Sequence, residues 1–335
     1  MASVHPGGEG GRRRRGSSLG SNSSGIGNSN RRNRDDGLEM EPHYRIVSGV
    51  HSSPGGKRFQ EDMAVKIDDF NKTIRENNRK FTGNLQVRRS FYAIFDGHGG
   101  ARCSKFLAEN FHVMLAKKDV LADNPEVALE LVWLAAEEQF YEICMKMYTS
   151  GENSFHKSGS TATIIFIVGD TAYIANCGDS HAYLFKEGRD PVKYTDDHNT
   201  DNPAECDRVR KSGATVEQEE MTISKGCCKS ETIKVGKFRV EPGGLAVTRS
   251  FGDFHSKLER YGGKLDSILS KYDQIRNVTI SENFGFCALI LASDGAWDAL
   301  SAGKIWKFFS ESYKKSQKSG LDSQQSANEA CEVSL

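Results

Sequence analysis

Apolar residues alternate or cluster along most of the chain and predict both strands and helices. Tyr44–Val50 alternates between apolar and polar positions, which predicts a strand, and Met63–Ile67 is predicted to pair with it. Phe91–Phe95 is a continuous apolar run, typical of a strand buried on both faces. It stops at the glycine-rich stretch 96–100, which predicts a sharp turn. A buried strand therefore leads directly into this turn.

Two amphipathic helices are predicted after the turn. Apolar residues between Phe106 and Leu115 recur at steps of three and four, the period of a helix with one buried face. The sequence Asp123-Asn124-Pro125 is typical of a helix start, and the apolar stripe that follows it runs to Ile143. The polar and basic stretch 71–90, by contrast, predicts a hairpin loop before the buried strand.

The pattern then changes back to strands. Thr161–Val168, Thr171–Asn176 and His181–Phe185 are separated by short turns and predict an antiparallel meander. The low apolar content of residues 199–241 predicts a surface flap with one helix at Ala204–Lys211. The remaining predictions are a short strand and turn over 243–253, a buried strand at Phe286–Leu291 and a last helix at Ser326–Val333.

The first 41 residues differ in composition from the rest. They are rich in Gly, Ser, Asn and Arg and have almost nothing apolar to bury, so we expect a disordered tail over 1–41 and a folded domain over 42–335. Its arginine runs, 12–15 and 31–34, could bind acidic partners or act as a nuclear address, and a solvated tail is the favoured interpretation.

Composition narrows the function classes. The chain has 335 residues, with 45 basic and 45 acidic side chains, so no bulk charge favours nucleic acid. No stretch approaches bilayer-spanning length, and Ala2 excludes N-myristoylation, which requires glycine there. The eight cysteines lack CxxC spacing, which argues against a zinc knuckle or a disulfide framework. We expect a soluble intracellular protein, cytoplasmic or nuclear, with no membrane partner.

Carboxylates at strand ends suggest a metal site. Two apolar strands each end in Asp-Gly, at Asp96 and Asp294, and like charges brought to one sheet edge need a cation between them. Asp298 follows one helical turn later, and His98 could act as an acid or base. A carboxylate set without thiolates favours Mg²⁺ or Mn²⁺ over zinc. Taken alone, 96–100 could equally be a turn whose aspartate caps a helix.

Seven short motifs, in order along the chain, together resemble the metal-dependent protein serine/threonine phosphatases of type 2C. One such match is weak, whereas seven in register are a strong resemblance. The motifs are Glu61-Asp62, DGHGG at 96–100, SGSTA at 158–162, NCGDS at 176–180, TDDH at 195–198, LAVTRSFGD at 245–253 and ASDGAWD at 292–298.

The resemblance implies an α+β fold, a four-layer α-β-β-α sandwich of two mainly antiparallel sheets with helices outside. It also implies that Asp96 bridges two Mn²⁺ or Mg²⁺ ions, that the Gly97 carbonyl binds one of them and that Asp294 holds the second. Glu61 and Asp62 would contact the ions largely through water. The implied reaction is hydrolysis of phosphoserine or phosphothreonine in phosphoprotein substrates by a water activated between the two ions.

Other roles implied by the resemblance concern the third ion and the phosphate. Asp179 and Asp298 match a third, weaker metal site, and His98 would protonate the departing alkoxide. The family's phosphate-binding arginine lies where this chain has Lys57, with Arg58 next to it. We favour Arg58 because a planar guanidinium can bind two phosphate oxygens.

One departure from the family pattern concerns the end of the sequence. A late Gly-x-x-Asp-Asn segment and a final core strand are expected, but the sequence ends at Leu335 within the last predicted helix. The domain is therefore expected to be C-terminally incomplete: either the sequence is truncated, or the chain has a weakened second metal site and an incomplete sheet edge. Three hypotheses follow: an active, monomeric phosphatase, a weak or inactive interaction module on the same fold, and a nucleic-acid-associated protein docked through its Arg-rich tail.

Overall fold

The computed structural model describes residues 46–152, 157–224, 230–259, 275–280 and 287–334. The predicted disordered tail lies outside these residues, and the following description concerns the unit Pro42–Leu335. None of the described helices combines the length and apolar character that a membrane span requires.

Strands and helices alternate in an irregular order along the described residues. The strands are β1 (Met63–Ile67), β2 (Arg89–Phe95), β3 (Gly97–His98), β4 (Gly159–Ser160), β5 (Ala162–Val168), β6 (Thr171–Cys177), β7 (His181–Lys186), β8 (Val192–Lys193), β9 (Thr215–Ser224), β10 (Ser230–Glu241), β11 (Phe251–Gly252), β12 (Arg276–Thr279) and β13 (Cys287–Ala292). The helices are α1 (Phe70–Asn77), α2 (Arg102–Ala116), α3 (Pro125–Thr149), α4 (Pro203–Lys211), α5 (Phe254–Lys257), α6 (Asp294–Ala299), α7 (Ala302–Lys318) and α8 (Ser323–Ser334), with a 3₁₀ turn at Asp119–Ala122.

The strands form antiparallel sheets of different sizes. The largest has the order β1-β2-β5-β6-β12, and a second sheet has the order β13-β7-β8. The short strands β11, β4 and β3 form a third sheet, and β9 and β10 form a separate hairpin. The third sheet matters most for function because β3 directly continues the chain beyond the end of β2.

The large sheet is covered on both faces, which explains why its central strand is apolar throughout. In β5, Ile164 and Phe166 belong to a core shared with α1, α2 and α3. Ile165 and Ile167 point the other way, into a core that includes Leu289 of β13. Successive strand residues face opposite sides, so a strand covered on both sides reads as an unbroken apolar run.

The outer layers are helical. On one side, Trp133 of α3 meets Phe111 of α2 edge-on, with ring centroids 5.7 Å apart. On the other side, Trp306 of α7 stacks on Phe185 of β7 at 5.4 Å, and Ile305 is fully buried. Helices thus lie outside two antiparallel sheets, and the predicted α+β sandwich is confirmed.

The predicted strand at 44–50 is wrong over its described part. Residues 46–50 are irregular, and the backbone N–H and carbonyl of Ser48 bond to the side-chain amide of Gln324 in α8. Strand β1 pairs with β2 instead, in the register Met63 opposite Phe95. The backbone of segment 46–50 therefore bonds to the Gln324 side chain of α8, and not to β1 as the alternation predicted.

The predicted loop at 71–90 contains helix α1. Phe70 and Ile74, one turn apart, are fully buried against the helical core, and Asn71 donates hydrogen bonds to the carbonyls of Leu85 and Val87. Two apolar residues are enough to dock this helix, although its other positions are polar. Helices α2 and α3 lie where apolar periodicity predicted them, and α4 lies where a helix was predicted within the polar region 199–241.

The predicted three-strand meander is wrong in its third strand. Strands β5 and β6 pair as expected, but the free edge of β6 is taken by β12, a strand distant in sequence. The chain turns at Gly178, whose φ of 103° favours glycine, and β7 joins β13 in the other sheet. The polar β9–β10 hairpin is a further element that the sequence did not predict.

Candidate active site

The turn after β2 is fixed by the backbone of neighbouring strands. The Asp96 N–H donates to Thr161 Oγ1 at 3.1 Å, and the Thr161 N–H donates to the Asp96 carbonyl at 2.9 Å. The next residue, Gly97, packs so closely on Glu61 that a Cβ there would clash with the Glu61 carbonyl. Glycine is required at 97 for this approach. Asp96 and Glu61 are thereby held on neighbouring segments, and the Glu61 side chain also accepts from Gly100 N–H at 2.8 Å.

Four carboxylates from separate parts of the chain converge at this turn. Asp62 precedes β1, Asp96 follows β2, Asp179 lies between β6 and β7, and Asp294 begins α6. Burial and the neighbouring carboxylates of Asp62 and Asp294 raise the pKa of Asp96 to about 8. Burial and Asp294 likewise raise the pKa of Asp179 to about 6. Carboxylates this close repel one another, so the arrangement favours binding of a cation.

An open cleft of about 360 Å³ lies beside these carboxylates. Its lining includes Asp179, Asp294 and Asp298, together with Lys237 of the β9–β10 hairpin. The Lys237 ammonium lies 3.5 Å from Asp298, and both side chains are largely exposed. The hairpin register shifts at this point, with Gly236 at a φ of 79°, and Lys237 lies within the bulge. The flap thus contributes a cation to the acidic cleft.

The donor set suits a hard divalent cation. All four converging side chains offer oxygen, the ligand type that Mg²⁺ and Mn²⁺ prefer. Within the described ranges, however, no three His, Cys, Asp or Glu side chains are grouped closely enough to enclose an ion as they stand. The residues fit such an ion in the chemistry of their donor atoms and in their convergence on one turn.

His98 is paired with a buried carboxylate. Its Nε2 lies 2.7 Å from Oδ2 of Asp253, which is completely inaccessible to solvent. Burial acts to lower the pKa of His98, but the Asp253 carboxylate outweighs it and the pKa is raised overall. Burial acts to raise the pKa of Asp253, and His98 more than reverses that, so the pKa is lowered. Both shifts favour a charged imidazolium–carboxylate pair.

Arg58, the predicted phosphate ligand, lies on an exposed loop. Among the contacts of the described residues, none joins its guanidinium to the carboxylates, and Lys57 is exposed as well. The structure therefore brings together Asp62, Asp96, Asp179 and Asp294, places Asp298 at the cleft and Glu61 beside Gly97, and leaves Arg58 outside the cleft lining.

Two residues of the site had no predicted role. Asp253 closes the motif at 245–253, and a Gly-Asp pair at a turn gave no sign of a bond to His98, 155 positions away. Lys237 lies in a hairpin that the sequence did not predict.

Glu205 joins α4 to the segment that carries Asp253. This buried carboxylate accepts two hydrogen bonds from Arg249, at 2.9 and 2.6 Å, and further bonds from Arg208. It also accepts from Thr248 Oγ1 at 2.8 Å. Burial acts to raise the pKa of Glu205, but the two arginines lower it to about 2. The segment before Asp253 is therefore anchored by a buried charge network.

Comparison with known proteins gives a consistent result. The family model "Protein phosphatase 2C" matches residues 46–334. Probable protein phosphatase 2C 45 of rice is 28% identical over 263 residues, covering 78% of this chain and 75% of its own length. Bovine protein phosphatase 1B is 30% identical over 229 residues, covering 65% of this chain and 42% of its own length. The chain thus spans less than half of the bovine relative.

A solved structure shares the fold. Serine-threonine phosphatase 2C from Toxoplasma gondii superposes with a TM-score of 0.58 at 17% identity, covering 86% of this chain and 91% of that one. A sex determining protein of C. elegans gives a TM-score of 0.59 at 20% identity, covering 87% and 62%. The family match covers most of the chain, including all the carboxylates of the site. This chain belongs to the protein phosphatase 2C family.

Proposed function

We propose that this chain hydrolyses phosphoserine and phosphothreonine in proteins, with Mn²⁺ or Mg²⁺ bound by its converging carboxylates. The observation that carries the proposal is the meeting of Asp62, Asp96, Asp179 and Asp294 at one turn. Its relatives are protein phosphatases, and dependence on these ions is a trait of the family. The relatives are longer than the region that this chain matches, so their activity does not carry over directly. The activity is therefore proposed here on the basis of this chain's own carboxylates.

The proposed ligands divide between three ions. Asp96 would bridge two of them, the Gly97 carbonyl would bind one, and Asp294 would hold the second. Glu61 and Asp62 would contact the ions largely through water, and the third, weaker site would be held by the two remaining aspartates, Asp179 and Asp298. When bound, such ions lower the pKa of water and neutralise phosphoryl oxygens.

His98 is the proposed general acid. As a water oxygen bonds to phosphorus and the P–O bond to serine or threonine breaks, the imidazolium gives its proton to the departing oxygen. The products are a neutral alcohol and inorganic phosphate, and His98 recovers its proton from solvent. Arg58 remains the proposed phosphate ligand, since its exposed loop immediately precedes Glu61 and its guanidinium can bind two phosphate oxygens.

A direct assay tests this function. The chain is incubated with a phosphothreonine peptide and Mn²⁺, and phosphate release is compared for wild type, Asp96→Asn and Asp294→Asn. Either variant should lose about 10²-fold or more in turnover because it removes a charged ligand. Asp190→Asn, at an exposed carboxylate in the β7–β8 loop, is the matched control and should retain full activity. Equal turnover in all four proteins would refute the proposal.

A second candidate is an interaction module with little or no catalysis. It is favoured by the lack of a closed three-residue ion site within the described residues. It predicts that the wild-type chain binds phosphopeptide but releases no phosphate at any Mn²⁺ concentration. The assay above separates the two, because only the enzyme gives turnover that depends on Asp96.

A further inference from the structure

We propose that Asp253 is a positioning residue for His98, holding the imidazole in the orientation and tautomer that protonates the leaving group. This inference deepens the proposed phosphatase function and rests on it. The evidence is the geometry of the pair: Asp253 Oδ2 lies 2.7 Å from His98 Nε2, although 155 residues separate the two in sequence. With Nε2 engaged by the carboxylate, Nδ1 is the nitrogen left to exchange a proton with substrate.

The backbone packs closely around the His98–Asp253 pair. Gly159 in β4 packs directly against it, and a Cβ there would clash with both Asp253 Oδ2 and His98 Nε2. Since β4 pairs with β3, which carries His98, and with β11, which leads to Asp253, the third sheet brings the two residues together. Main-chain hydrogen bonds of the third sheet thus bring His98 and Asp253 together, and the absence of a side chain at Gly159 leaves room for their contact.

Asp253 itself has features that packing alone does not require. It has a φ of 51°, the one left-handed non-glycine among the described residues, and its side chain is fully buried. Its Oδ1 finds no hydrogen-bond partner in the described part of the chain. Burying a carboxylate with a free oxygen is costly unless the charge is used or paired. Here the charge faces the imidazole.

A second layer of contacts orients the carboxylate. Ser250 Oγ donates to the same Oδ2 at 2.5 Å. Lys257 Nζ bonds to the Ser250 carbonyl at 2.8 Å and to Glu137 of α3 at 2.5 Å, and Glu137 also accepts from Gly252 N–H at 3.0 Å. The turn on which Asp253 stands is therefore tied to the long helix α3. These contacts restrict the movement of Asp253, and through it they keep the His98 imidazole in the orientation needed for proton transfer.

The test separates proton donation from general damage by changing the leaving group. A phosphothreonine peptide needs its departing oxygen protonated, whereas p-nitrophenolate leaves without a proton. Asp253→Asn keeps size and tolerates the left-handed backbone, so it removes mainly the charge. We expect kcat for the peptide to fall about 10²-fold and kcat for p-nitrophenyl phosphate to fall much less. Adding Asp253→Asn to His98→Gln should then cause no further loss with the peptide.

Two controls keep the outcomes distinct. Ser250→Ala removes one hydrogen bond to the Asp253 carboxylate without changing its charge. Its kcat should also fall more with the peptide than with p-nitrophenyl phosphate, by a smaller factor. This variant tests the positioning role if Asp253→Asn does not fold. Equal losses on both substrates, or additive losses in the double variant, would overturn the positioning role while leaving the phosphatase function intact. Failure of the wild-type chain to hydrolyse either substrate would instead overturn the proposed function and this inference with it.

Discussion

At the scale of single residues, buried charges are paired by contacts that join distant parts of the chain. Glu205 is the clearest case, since it accepts hydrogen bonds from Arg208, Arg249 and Thr248 while remaining about 95% buried. Removing one member of such a cluster leaves the opposite charges without a partner in a poorly solvated site. The Glu205 cluster should therefore dominate the acid sensitivity of the segment before Asp253.

The first prediction concerns Glu205 and pH. Its pKa is about 2 in the folded chain against 4.5 for the unconstrained side chain, so the unfolded state binds more protons between these values. Its contribution, on the order of 3 kcal/mol, is complete above about pH 4.5 and is lost as the pH falls toward 2. Urea unfolding between about pH 5 and 3 should show a falling free energy of unfolding in wild type.

Matched variants test the assignment. Glu205→Gln should cost about 3–5 kcal/mol at pH 7 and should lack this component of the acid dependence. Glu138→Gln, at an exposed position of α3, should behave as wild type. An unchanged pH slope in Glu205→Gln would show that other carboxylates govern acid stability.

Candidate metal ligands at strand ends could be recognised from the sequence, but the hydrogen-bond partner of His98 could not. Asp96 and Asp294 could be singled out because an apolar strand followed by Asp-Gly is a local pattern. The bond between His98 and Asp253 could not, because it depends on two short strands meeting through β4. The position of Arg58 outside the cleft lining depends on a loop conformation that composition does not determine.

At the scale of elements, local patterns predicted helices α2, α3 and α4 but missed α1, and the other errors concern strand pairings between distant parts of the chain. Helices α2 and α3 follow from apolar periodicity within a few turns. Strand β7 was placed in the wrong sheet because β12, far along the chain, takes the edge of β6. The irregular segment 46–50 depends on α8, nearly 280 positions away. Pairing across such separations leaves no periodic signal.

Docking of α8 on the segment 46–50 gives the second prediction of stability. A Cβ at Gly49 would clash with the Ala327 carbonyl, which is helix backbone and cannot rotate away. Gly49→Ala should therefore lower the free energy of unfolding by about 1–3 kcal/mol through overpacking. The measurement is urea unfolding followed by circular dichroism.

Gly56→Ala is the matched control for this change. A Cβ at Gly56 would meet no heavy atom within 4 Å, so its effect should be small. The same unfolding midpoint for both variants would show that α8 is not held tightly against residues 46–50.

At the scale of the whole molecule, the fold brings four separate chain segments to one acidic turn. Burial and the neighbouring carboxylates raise the pKa of Asp96 to about 8, an arrangement that favours binding of a cation. A divalent ion must displace the proton from Asp96, so its affinity should rise with pH up to about 8. The architecture and the meeting of Asp96 with Asp294 were both expected from the sequence, whereas the arrival of Lys237 at the same cleft depends on the unpredicted β9–β10 hairpin.

The most direct test of this account is calorimetric titration of the ion-free chain, residues 1–335, with Mn²⁺ at about pH 6 and pH 8. We predict binding of at least one ion per chain, tighter at the higher pH, with Asp96→Asn weakened by more than about tenfold and Asp190→Asn unchanged. Absence of Mn²⁺ binding in wild type, or equal affinity in Asp96→Asn, would contradict the claim that these carboxylates form a divalent-ion site.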